Sequence, residues 1–101
     1  MIKATVLYGH PADAAAFEKY YSERHLPLVA KVQGIAKLEW TKFLPNPDGS
    51  ASAYYRMGEL YFAGPAEMQQ TLGSPEGKAI AADLPNFASG GVTIIFGQVE
   101  N

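Results

Sequence analysis

The longest amphipathic run of the chain lies between Asp13 and Gly34, where Phe17, Tyr21, Arg24, Leu28 and Val32 recur at helical spacing while Lys19, Ser22, Glu23, Ala30 and Gln33 fall opposite. One face of this helix is therefore expected to be core. Asp13 suits the N-cap, since its carboxylate accepts from free amides of the first turn and favours the positive end of the helix dipole. Gly34 suits the stop. Pro27 interrupts the pattern, because it removes an amide and disfavours helical geometry at Leu26, which predicts a kink or broken turn immediately after His25.

On either side of this helix the period changes to two. Ile2 to Tyr8 reads as a strand, with Ile2, Ala4, Val6 and Tyr8 on one side and Lys3, Thr5 and Leu7 on the other. A second strand is predicted from Ile35 to Phe43, with Ala36, Leu38 and Trp40 sharing a face. The cluster Pro45-Asn46-Pro47-Asp48-Gly49-Ser50 then marks a hairpin loop. Tyr54 to Phe62 is the third strand, with Tyr55, Met57, Glu59 and Tyr61 facing one way and Tyr54, Arg56, Leu60 and Phe62 the other. Gly64-Pro65 opens a short helix that Gly73 ends, and Ser74-Pro75 caps another that stops near Pro85. After a loop, Val92 to Val99 alternates as the last strand.

The order β-α-β-β-α-β predicts an α+β fold, the ferredoxin-like split βαβ arrangement, with two helices on one face of a four-stranded antiparallel sheet. Strands three and four carry aromatic and branched residues on both sides, so the uncovered face should be too apolar for water. A homodimer with the two sheets facing each other is the simplest way to cover it.

Composition narrows the chemistry. The 101 residues are expected to form one domain; 48% are hydrophobic and the net charge is −2 with no basic cluster, which removes the electrostatic footprint of a nucleic-acid binder. There is no cysteine, hence no disulfide framework, thiolate zinc site or cysteine nucleophile. No apolar run approaches the ~20 residues that cross a bilayer, and the N-terminus reads as a strand rather than a signal peptide, so a cytoplasmic protein is expected. Glycine-rich phosphate loops, a G-x-S-x-G elbow, H-E-x-x-H and paired carboxylates on one face are all missing. No nucleotide, flavin or metal cofactor is expected.

Three stretches together carry a family resemblance. The motif F-x-x-Y-Y-x-x-x-H-x-P-L-V (Phe17, Tyr20, Tyr21, His25, Pro27, Leu28, Val29), the run Met57-Gly58-Glu59-Leu60-Tyr61-Phe62, and Ser74-Pro75-Glu76-Gly77 followed by Ala82-Asp83-Leu84-Pro85-Asn86-Phe87 resemble the EthD family over nearly the whole chain. The resemblance implies a dimeric α+β barrel with a pocket between sheet and helices in each subunit. It also implies a link with oxidative breakdown of small organic compounds such as alkyl ethers, beside a monooxygenase system. Wider relatives of this barrel include cofactor-free monooxygenases, polyketide cyclases, lactone isomerases and haem-degrading enzymes, so the fold leaves the reaction open.

Among the reactive side chains, His25 sits on the flank of the apolar stripe, where its near-neutral pKa suits a general base. The alternative is a helix-flank histidine bonded to a backbone carbonyl. Only one of Tyr20 and Tyr21 should face inward, and Tyr21 is the expected donor to a developing oxyanion. Asp83, near a helix end, either orients His25 or caps the following loop. Tyr8, Phe17, Leu28, Trp40, Tyr61 and Phe87 are the expected pocket walls. Arg56 and Glu59 lie on opposite strand faces and share no constellation, and His10 reads as a loop residue. Two functions fit: a small pocket enzyme for an aromatic or alkyl metabolite, or a non-catalytic binder that sequesters a hydrophobic molecule or accompanies a monooxygenase. A variant of the first has His25 ligating haem iron.

Overall fold

Alternation at period two builds the sheet as expected. In a computed structural model, which describes residues 1–100, β1 (Ile2–Tyr8) lies between β3 (Arg56–Phe62) and β4 (Val92–Gln98), and β2 (Lys37–Lys42) pairs with β3 on the far side. The order is β2-β3-β1-β4 and every pairing is antiparallel. The register sets Gly58 opposite both Val6 and Trp40, and Val6 opposite Ile94, so these residues share one face of the sheet with Ala4, Tyr8 and Leu60. The helices pack on that face, which gives the ferredoxin-like α+β architecture. The second and third strands are shorter than their alternation predicts, beginning at Lys37 and Arg56 rather than Ile35 and Tyr54.

The amphipathic run departs from the expected helix in an informative way. Asp13 caps α1 (Ala14–Tyr20), its carboxylate accepting from the Ala16 amide at 3.0 Å. The next turn, Tyr21–His25, is π-helical: the Leu26 amide donates to the Tyr21 carbonyl five residues back. Regular helix resumes in α2 (Leu26–Ala30), with Pro27 in its first turn, where a missing amide costs nothing. The predicted break is thus a widened turn that ends at His25 instead of a kink that follows it. Residues four apart would drift about 40° per step around a regular helix, and the wide turn takes up part of that drift. Phe17, Tyr21, His25 and Val29 consequently form one buried line, each no more than 3% exposed. Arg24 is exposed and Leu28 half-buried, so the stripe expected through Arg24 and Leu28 is displaced by one residue after Tyr21. The helix ends before Gly34, whose φ of +96° instead serves the connection to β2.

The second helical region follows its punctuation. Within it, α3 (Pro65–Gly73) gives way at Ser74, whose hydroxyl accepts from the Gly77 amide at 3.1 Å and starts α4 (Pro75–Asp83). A single 3₁₀ turn, Leu84–Asn86, carries the chain past Pro85. The core has two parts. An aromatic cluster of Tyr8, Phe17, Tyr21 and Phe87 closes with Leu84, while Ala4, Leu60 and Phe62 pack under Met68 and Leu72 of α3.

The uncovered face is more polar than alternation suggested, although Leu7 and Met57 of the central strands also lie on it. Its central strands present Lys3, Thr5 and Glu59, with Lys3 Nζ 2.7 Å from Glu59 Oε2, and Tyr61 donates to Glu39 Oε1 at 2.8 Å. Exposed apolar surface is concentrated on the edge strand β4, where Ile94, Ile95 and Phe96 are 42%, 52% and 57% exposed. Both sides of that strand stand clear of the helices.

Candidate functional site

Between the sheet and the helices lies a cavity of about 220 Å³. Val6, Gly58 and Leu60 form its floor, Val29, Leu72 and Ile80 its roof, and Trp40 one wall. Ile94 and Phe96 of β4 line it on the opposite side, and because both are exposed the cavity is open there. Among the described residues, His25 is its one titratable lining side chain apart from the phenol of Tyr8.

The π turn sets His25 where it is, 3% exposed, with its ring 4.7 Å from that of Phe87 and stacked 5.9 Å from that of Tyr21. Its Nδ1 lies 2.9 Å from Asp83 Oδ2, a contact that joins residues 58 apart in sequence. An ionised carboxylate only accepts, so Nδ1 carries the proton and the lone pair of a neutral imidazole is on Nε2, which is left for the cavity. Asp83 in turn collects two further donors on Oδ1: the Tyr20 hydroxyl at 2.6 Å and the Asn86 amide at 3.0 Å. Burial pushes the Asp83 carboxyl up, but hydrogen bonds from Tyr20, His25 and Asn86 outweigh it and leave it below its ordinary value. Burial lowers the His25 pKa, and the pull of Asp83 in the other direction only partly offsets that. At neutral pH the pair is a neutral base held by an anion.

This has a measurable consequence for stability. Because the folded-state pKa of His25 lies below its ordinary 6.5, the unfolded chain binds the proton more readily. Its contribution is therefore intact above pH 6.5 and declines as the pH falls below that value, until the folded-state pKa is passed. Denaturant titrations from about pH 8 to about pH 5 should show stability dropping in this window, and His25→Gln should flatten the drop. An equal slope in both proteins would contradict the assignment.

Of the residues singled out by sequence, His25, Tyr8 and Trp40 line the cavity and Asp83 stands directly behind His25. Tyr21 lies in the aromatic cluster beside it. Phe17 and Phe87 belong to that same cluster and reach an outer groove instead of the cavity. Leu28 is not among the lining residues, the phase shift having given its place to Val29. Tyr61 faces the opposite side of the sheet, bonded to Glu39. Arg56 turns away from the cavity to grip Glu18 through two bonds of 2.9 and 2.7 Å, which holds the Glu18 carboxyl down to about 2. His10 Nε2 is 2.6 Å from the Ser52 carbonyl, in a loop.

Sequence reasoning passed over Tyr20, Asn86, Gly58 and the cavity-facing residues of β4. The adjacent Tyr20-Tyr21 pair was the available signal, since the Tyr20 hydroxyl bonds Asp83 while the Tyr21 ring packs in the core. For haem the fit is poor: no cation lines the cavity to meet propionates, and its volume is small for a porphyrin. Among the described residues, no group of three His, Asp or Glu side chains could hold a metal ion, and no helix is long and apolar enough to cross a membrane.

The family profile for the EthD domain matches residues 9–91. An uncharacterized 11.0 kDa protein of the thcB–thcC intergenic region in Rhodococcus erythropolis is 43% identical over 100 residues, covering 99% of this chain and 96% of that protein. The crystal structure of an ethyl tert-butyl ether d (EthD) family protein from Bacillus halodurans superposes with a TM-score of 0.92 at 33% identity, covering 99% of each chain. A dimeric protein of unknown function with a ferredoxin-like fold from Bacteroides fragilis shares the fold at a TM-score of 0.67 and 17% identity, covering 97% of this chain and 95% of that one.

Proposed function

Because the chain belongs to the EthD family, we propose that it takes a small apolar organic molecule into the cavity beside Trp40 and moves a proton there, with His25 as general base. The observation that carries this reading is a buried imidazole on an apolar cavity whose Nδ1 is held 2.9 Å from an ionised carboxylate. Structural histidines are satisfied by one such bond as well, but they do not need three convergent donors to keep the carboxylate charged. In the reaction, Nε2 accepts the proton, Asp83 stabilises the imidazolium that forms, and apolar walls keep water from competing for it. Tyr21 supplies the hydrogen bond to charge developing on the substrate. None of these steps calls for a cofactor.

The wider setting proposed is oxidative breakdown of small organic compounds in the cytoplasm, in company with a monooxygenase system. For the class of compound alone, the support is the Bacillus relative's description by reference to ethyl tert-butyl ether. A homodimer is part of the same reading, supported by the Bacteroides neighbour described as dimeric and by the apolar edge strand β4. Sedimentation at micromolar concentration should give twice the 10.9 kDa of one chain, and a mass of one chain would remove the dimer.

The functional test is deuterium exchange. Small neutral carbon acids incubated with the protein in D₂O should gain deuterium faster than in buffer, as followed by proton NMR. A ligand shown to occupy the cavity, yet exchanging no faster than in buffer across such a panel, would make the protein a binder and not an enzyme.

A further inference from the structure

Tyr21 is 2% exposed, and among the described residues its hydroxyl is the buried side-chain polar atom found without a hydrogen-bond partner. An unpaired buried hydroxyl destabilises a fold in which phenylalanine would pack equally well, so a partner absent from the free protein is the physical reason to keep it. Its location says what that partner meets. The hydroxyl lies 3.9 Å from the point where a Cβ on Gly58 would stand, and the Trp40 indole lies 3.1 Å from that same point. Gly58 and Trp40 both line the cavity that His25 lines. The backbone at Gly58 has no positive φ, so the glycine is there for space: a Cβ would crowd the Trp40 indole and stand in contact with the Tyr21 hydroxyl, which lies just behind the cavity lining.

The charge around the site restricts the ligand further. Among the described residues, no lining side chain other than His25 is able to carry a positive charge, and Arg56, which lies over the Tyr21 ring at 4.9 Å, is spent on Glu18. A carboxylate or phosphate ligand would find no counter-ion. What the Tyr21 hydroxyl offers is a neutral donor, because burial raises its pKa to about 12. A neutral acceptor oxygen therefore suits it, and the base one helical turn away suits a C–H made acidic by that same oxygen. An ether provides the first and not the second.

Resting on the base role of His25, we propose that the substrate is a neutral, enolisable ketone or aldehyde, its carbonyl oxygen bonded by the Tyr21 hydroxyl across the bare Cα of Gly58. In the step, the α C–H bond breaks, its proton goes to His25 Nε2, and the electron pair moves onto the carbonyl oxygen, where Tyr21 donates to the enolate. Return of the proton to carbon regenerates imidazole and carbonyl, so no oxidant or reductant is consumed.

Acetophenone and its near-isosteric hydrocarbon ethylbenzene provide the test, titrated into the full chain and into Tyr21→Phe, Tyr8→Phe and His25→Gln. The native protein should bind the ketone about tenfold more tightly than the hydrocarbon, the worth of one good hydrogen bond, and the bound carbonyl stretch should move to lower frequency. Both effects should vanish in Tyr21→Phe, whereas Tyr8→Phe and His25→Gln, which alter the cavity wall, should change affinity for the two compounds together and keep their ratio. Tyr21→Phe should melt at or above the native temperature, since it removes an unsatisfied group. Equal affinity for the two compounds, or a preference lost in Tyr8→Phe and kept in Tyr21→Phe, overturns the proposal while leaving His25 its role. Preferential ketone binding without α-deuterium exchange overturns the base role and the enolisation step with it, and leaves only the Tyr21 contact to the carbonyl. If neither compound binds up to its solubility limit, the cavity reading fails and this proposal with it.

Discussion

Replacing His25 by glutamine is expected to lower turnover by about 10²–10⁴-fold with the fold intact, the usual worth of a positioned general base. Glutamine retains a donor for Asp83, so the carboxylate stays paired, but it offers nothing that accepts a proton at neutral pH. The side chain borders the cavity and glutamine keeps its bond to Asp83, so melting should change less than on truncation of a packed neighbour. Val29→Ala, one step along the same buried line, removes packing and should cost about 2 kcal/mol, and because Val29 also roofs the cavity its exchange rate should fall, but far less than that of His25→Gln. Deuterium-exchange rates beside melting curves for the two variants decide between the roles. A His25→Gln protein that exchanges normally yet melts like Val29→Ala would make the histidine a core residue.

Asp83→Ala should do both kinds of damage. It removes the common acceptor of His25, Tyr20 and Asn86, leaving one donor buried and two partly so. Each orphaned donor costs up to about 1–3 kcal/mol, less where water reaches it, so a total near 3 kcal/mol is expected in denaturant titration. Catalysis should fall by at least about tenfold, because nothing then fixes the tautomer with its lone pair on the cavity side. The pH profile carries the sign. Asp83 opposes the lowering of the His25 pKa by burial. Without it that pKa falls further, and the acid limb of the rate profile should move to lower pH. An unchanged acid limb, or a variant as stable as the native chain, would show that the carboxylate is incidental.

Much of the fold was legible because it rests on local rules. Asp13 and Ser74 announce their caps, Pro65 and Pro75 their first turns, and the even positions of β1 their common face. What failed did so for nonlocal or cumulative reasons. A proline at position 27 signals disturbance but not its form, and the widened turn upstream moved the buried line from Leu28 to Val29. The choice of Tyr21 over Tyr20 assumed that a single inward direction exists. In the folded chain α1 has the sheet below it and Asp83 beside it, so adjacent phenols each find a use. Asp83 could be suspected from its helix end, but its pairing with His25 depends on how α2 packs against α4. The uncovered face was misjudged by counting aromatics, since Tyr61 sits there as a hydrogen-bond donor and Glu59 as the partner of Lys3.

If the proposed ligand complex and homodimer both form, the last strand ties two events that would otherwise be independent. Ile94 and Phe96 line the cavity from an edge whose outward side is also bare, so a chain seated on β4 alters the apolar area a ligand must desolvate on entry. Thermodynamic linkage then works in both directions: whatever factor such seating adds to ligand affinity, ligand adds to seating. Occupancy and assembly would share one free energy, and a dilution series run with and without ligand would read the same number from either end.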